Sequence, residues 1–174
     1  DMFSIMNKLT TLNLSNFDTS KVTDMGYMFE NMSSLIALDL SNFDTSKVTD
    51  MNHMFTNLSN LTTLNLSNFD TSKVTNMNHM FYGMYNLTTL DLSNFDTSQV
   101  TDMEEMFCNV FNLTTINLSN FNTSKVTDMN RMFFLEDGNM SKDKLEKIYV
   151  NNDFDTANLT DFTEMFKNRK KLRG

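Results

Sequence analysis

The chain has 174 residues, a net charge of −8, 16 Met, 16 Phe, 4 Gly, 1 Cys, and neither Trp nor Pro. That acidic balance lacks the clustered Lys and Arg a nucleic-acid backbone needs, and the lone Cys108 excludes an intrachain disulfide framework. An apolar content of 40% argues for a folded chain, and no apolar run is long enough for a helical span, so no membrane insertion is expected in this segment.

Met2 and Phe3 match the Met-Phe pair that ends each later unit, so residues 1–8 read as the end of a preceding repeat. Leu9, Leu35, Leu61, Leu87 and Leu113 then open five units spaced 26 residues apart. Each reads L-x-x-L-x-L-S-N-F-x-T-S-x-V-T-x-M-x-x-M-F, with Ile116 for the second Leu in the fifth, and the decapeptide NFDTSKVTDM stands unchanged at residues 16–25 and 42–51. The units run 9–34, 35–60, 61–86, 87–112, 113–144 and 145–171, with 172–174 starting another. The sixth is degenerate: six residues are inserted before Leu145 and one before Phe154. A fixed period of this length predicts stacked units that bury their apolar faces only against their neighbours.

Within a unit, Leu12-Asn13-Leu14 alternates as a half-buried strand does. Asp18 to Lys21 reads as a turn of short polar side chains between the inward Phe17 and Val22. Met25, Met28, Phe29, Met32 and Leu35 fall at i, i+3, i+4, i+7 and i+10, which predicts a helix capped by Thr23 and Asp24, with a capping box at Thr101 and Glu104 in the fourth unit. The fold expected is therefore an α/β repeat solenoid, curved because strands pack closer than helices, with one short parallel strand on the concave side and one helix on the convex side of each unit. Phe17, Phe43, Phe69, Phe95, Phe121 and Phe154 would form an aromatic spine.

The repeat pattern resembles that of BspA-like leucine-rich repeat surface proteins, from Met2 to Leu172. The resemblance implies a leucine-rich-repeat solenoid displayed outside the cell and used for adhesion or protein binding. The ordinary leucine-rich pattern places Asn third after the last Leu; here Phe17 and its equivalents hold that place, so no asparagine ladder is expected there.

The concave strand positions are the natural interface. Asn13, Asp39, Asn65, Asp91 and Asn117 form one candidate protein-binding column, small and polar, which ends in Tyr149 with Lys147 beside it in the sixth unit. The Asp18 column is either a row of turn caps or, less in keeping with its composition, a calcium ladder. His53 and His79 share a column with Glu105 and Arg131 and read as surface histidines in preference to a zinc pair. No irregular constellation of nucleophile and base and no phosphate-binding Gly loop stands out, so neither catalysis nor a cofactor or metal is expected. Eleven N-x-S/T sequons, some inside the concave face, argue against a glycosylating secretory route and for a bacterial host context. The function expected is a non-enzymatic bacterial cell-surface adhesin fragment that binds a host or neighbouring-cell protein through the concave face or residues 135–154. The alternative is a structural spacer or an array that self-associates end to end.

Overall fold

The computed structural model describes residue 3 and residues 6–173. Met2 lies outside the described residues. Among them there is no α-helix: the regular elements are β1 (Thr115–Leu118), a single 3-10 turn at Asp137–Asn139, and β2 (Lys147–Val150). β1 and β2 pair in parallel, Thr115 against Lys147 through Leu118 against Val150. The expected α/β solenoid with a helix per unit is thus overturned, and with it the argument for curvature, which needed strands and helices on opposite sides.

What replaces the helix is a run of turns. Met28, Glu30, Met32 and Leu35 donate N–H bonds to the carbonyls three residues back, whereas Met25, Tyr27, Phe29 and Asn31 donate to Asp50, Asn52, Met54 and Thr56 of the next unit. In this run alternate backbone donors leave the unit. A helix keeps its donors inside and requires right-handed φ throughout; here Tyr27 and Asn31 sit at φ 59° and 60°, and their equivalents do the same except Leu135 of the fifth unit. Asn and Gly tolerate that conformation best, and they fill one such column as Asn31, Asn57, Gly83, Asn109 and Asn168. The Thr23–Asp24 cap and the Thr101–Glu104 capping box fail for the same reason: Asp24 accepts from the Gly26 N–H and Asp102 from the Glu104 N–H, capping turns and not helices.

The ladder recurs in every unit, with Met51, Met77 and Met103 donating to Asn76, Asp102 and Asp128. Isolated parallel bridges mark the same line from Asp24 through Asp50, Asn76, Asp102 and Asp128 to Asp161. Most of the expected short strands are absent. Leu14, Leu40, Leu66, Leu92 and Leu118 are buried between exposed neighbours as a strand would have them, yet outside β1 and β2 a single bridge, Thr63 to Thr89, joins these stretches among the described residues. β2 carries Ile-Tyr-Val and β1 Ile-Asn-Leu, with β-branched or aromatic residues that suit a pleated surface, where the first four units carry Leu-Asn-Leu or Leu-Asp-Leu.

The core lies between the turn run and the Leu-rich stretch. Met25, Phe29, Met32 and Leu35 and their equivalents in the first four units are almost wholly buried, each such side chain contributing about 1.5–3 kcal/mol by leaving water. The aromatic spine runs through the Phe29 column and not the Phe17 column. Phe3, Phe29, Phe55, Phe81, Phe107, Phe133 and Phe166 stack face to face, their centroids 5.3–6.0 Å apart, while Phe17, Phe43 and Phe69 lean against that stack at a tilt.

Two polar ladders bind unit to unit inside the refrain. The buried Thr45 Oγ1 accepts from the Asp70 N–H at 2.8 Å and donates to the Asp70 carbonyl at 3.0 Å, and Thr19, Thr71 and Thr97 do the same for their next units. Asn42 Nδ2 donates to the carbonyls of Leu14 and Phe17 in the preceding unit, as do Asn68, Asn94 and Asn120. An asparagine ladder therefore exists, one residue before the position where the ordinary leucine-rich pattern puts it.

Candidate functional site

Asn13, Asp39, Asn65, Asp91 and Asn117 are all exposed, in one column beside the buried leucines. Each accepts the N–H two residues on through Oδ1, at 2.9–3.1 Å, so that oxygen closes a local turn. These bonds hold Asp39 and Asp91 below the usual carboxylate range. The column is a rigid, acidic, finely spaced strip with no large side chain until Tyr149.

Lys147 and Tyr149 stand in β2, the edge strand of the two-stranded sheet, and Tyr149 and Val150 are about half exposed. Beside them Lys170, Lys171 and Arg173, with Glu146 and Lys147, line a cavity of about 480 Å³. Among the described residues none of these four cations lies within 4.0 Å of a carboxylate, whereas Arg131, Lys167 and Arg169 all do. Beyond the candidate Lys147, the sequence signalled this patch as a change of charge: residues 1–135 hold 14 acidic and 6 basic side chains, residues 136–174 eight of each. The inserted stretch is held to the end of the sixth unit. Arg169, which follows the sixth unit's turn run, reaches inward to pair with the buried Asp143 at 2.6 Å and to donate to the carbonyls of Phe107, Val110 and Phe133.

The Asp18 column acts as turn caps, with Asp18, Asp44, Asp70, Asp96 and Asn122 each accepting the N–H two residues on. Lys47 and Lys73 donate to the carbonyls of Ser20 and Ser46 in the preceding unit. Among the described residues no three His, Cys, Asp or Glu side chains are grouped to hold a metal ion.

His53 and His79 are half-buried, not plain surface residues. Tyr27, His53 and His79 stack with centroids 4.5 and 4.3 Å apart, and His79 Nε2 then meets Glu105 at 3.5 Å, beyond which Arg131 and Glu164 continue as ion pairs. Stacked face to face, the two imidazoles hold their ring nitrogens in parallel planes. Burial, then the neighbouring His53, pushes the His79 imidazole down to about 4. Cys108 is buried, and burial raises its thiol above the ordinary value, so it is a packing residue with little thiolate character.

Among the described residues no helix is long and apolar enough to cross a membrane. Comparison with curated proteins and with solved structures returned no match. A family model described as "Mycoplasma protein of unknown function, DUF285" matches residues 1–107 and again residues 82–174, two overlapping stretches of repeats that together span the chain. The chain belongs to this Mycoplasma protein family of unknown function, DUF285.

Proposed function

We propose that the chain is a non-enzymatic adhesion module displayed on the outside of a bacterial cell, binding a protein of a host or neighbouring cell. The observation that carries this reading is the surface around β2. There Lys147, Tyr149 and Val150 of β2 bring exposed apolar area close to the cations Lys170, Lys171 and Arg173, which line a cavity with Lys147, next to an otherwise acidic body. Tyr149 and Arg173 are of the residue types in which binding energy usually concentrates. The resemblance to BspA-like surface proteins supports the extracellular setting. The Asn13 to Asn117 column serves as a positioning strip in this reading, since its turn-closing oxygens are already engaged.

The test is attachment of beads carrying the protein to a host-cell monolayer, compared with beads carrying Tyr149→Ala, Lys147→Glu or Asn65→Ala. Loss of attachment in the first two variants with retention in the third is the expected result. Equal attachment by all four, or none by the unsubstituted protein, refutes the reading.

A second reading, an array joined end to end, is favoured by a separate observation. Phe162 and Phe166 of the last turn run are 62% and 50% exposed, although their equivalents in the inner units are buried. Light scattering discriminates: growth of chains with concentration, abolished by Phe162→Glu, favours the spacer.

A further inference from the structure

On the side of the molecule built from the turn runs, two adjacent repeat columns change character along the stack. One runs Asn7, Ser33, Ser59, Tyr85; the other runs Asn31, Asn57 and then Gly83. Six of these residues, all but Gly83, line an open groove of about 460 Å³ that crosses four successive units. Its lining bears no carboxylate, ammonium or guanidinium in a chain of net charge −8. A groove with no charge recognises a neutral ligand.

The lining groups are amides and hydroxyls. Asn57 Nδ2 donates to Asn31 Oδ1 at 2.8 Å, which fixes both amides. That arrangement depends on Gly83: a Cβ there would lie 2.1 Å from Asn57 Oδ1, and the residue sits at φ 66° besides. Ser59 donates to the Asn57 carbonyl, and the Asn7 carbonyl accepts from Ser34 Oγ at 2.5 Å, so the backbone under the groove is tied down. The step from Ser59 to Tyr85 raises a wall at the far end. Tyr85 stacks on Phe111, centroids 5.4 Å apart and nearly parallel, which holds its ring rigid.

We infer that this groove binds a neutral saccharide chain lying along the stack. Sugar hydroxyls require paired donors and acceptors of the amide and hydroxyl kind, and the apolar face of a pyranose packs on an aromatic ring. Spacing suits a repeating ligand as well: the units underneath advance by 5.8, 6.0 and 5.9 Å between stacked rings, the order of one pyranose unit, and each offers fresh amide or hydroxyl groups. The site lies on other residues than those around β2, so it stands or falls separately from protein adhesion.

Titration calorimetry of the whole chain with four neutral oligosaccharides, chitotetraose, cellotetraose, mannotetraose and maltotetraose, tests it. The expected result is saturable binding of at least one with a Kd of about 1 mM or tighter, insensitive to added salt. Tyr85→Ala should weaken it about tenfold or more. Asn7→Ala, at an exposed position that leaves the core untouched, should weaken it too, while Tyr149→Ala leaves it unchanged. The inference is overturned if none of the four sugars binds, or if the affinity survives both Tyr85→Ala and Asn7→Ala.

Discussion

Thr71 shows how much one side chain of the refrain does. Its hydroxyl is 1% exposed and both accepts from and donates to the backbone of Asp96. Thr71→Val keeps the shape and leaves a buried N–H and C=O without partners, which should destabilise the protein by about 2 kcal/mol in chemical denaturation. Thr71→Ser, which keeps the hydroxyl, should lose less than half as much. The stacked histidines make a second prediction. His79 titrates near 4 in the folded chain against an ordinary 6.5, and His53 is lowered in the same direction by burial. The unfolded state therefore binds more protons between those values. Their contribution is fully present above pH 6.5 and is lost as pH falls toward 4, by about 2 kcal/mol after discounting for the solvent screening of two half-buried rings. Replacing both with Asn, which tolerates the positive φ of 53° and 55°, should flatten the stability profile across that window; an unchanged slope would contradict the burial argument.

At the scale of the element, the turn run explains why the buried positions were legible in the sequence and the backbone was not. Met25, Met28, Phe29 and Met32 are buried as their spacing required. A succession of turns with a left-handed residue every fourth position buries the same i, i+3, i+4, i+7 set that an amphipathic helix buries, so periodicity alone cannot separate them. The distinguishing signal was present in another column. Asn31, Asn57, Gly83 and Asn109 are poor helix formers and good left-handed residues, repeated where a helix interior should hold Ala, Leu or Glu. The two polar ladders were hidden for a different reason: Thr45 and Asn42 read locally as ordinary turn residues, and their bonds form only to the neighbouring unit. At the candidate surface, exposure of Asn13 to Asn117 was readable from alternation, whereas the gathering of Lys170, Lys171 and Arg173 around Lys147 required the fold. Gly83→Ala tests the turn run directly. Its methyl meets Asn57 Oδ1 and its φ is left-handed, so the variant should lose about 1–2 kcal/mol, where Gly138, with no positive φ and open space for a methyl, provides the comparison.

For the whole molecule, stability is a sum over neighbours, with each unit holding the next through alternate N–H groups, a Thr hydroxyl, an Asn amide and a stacked ring. The sixth unit, lengthened and degenerate, keeps the N–H ladder and the ring stack and is further tied back by Arg169, which spans to the carbonyls of Phe107, Val110 and Phe133 and pairs with Asp143. Arg169→Met leaves the Asp143 carboxylate buried and unpaired, and should cost about 3–5 kcal/mol, lowering protection from hydrogen exchange most in residues 145–171. Adding Asp143→Leu should restore part of it. The stack of turn runs itself is tested most directly by scalar coupling across hydrogen bonds in an isotope-labelled sample. The Phe55 amide nitrogen should couple to the carbonyl carbon of Met80 in the next unit, across a bond of 3.1 Å. Coupling of Phe55 to the carbonyl of Met51, four residues back, would mean a helix and contradict the account.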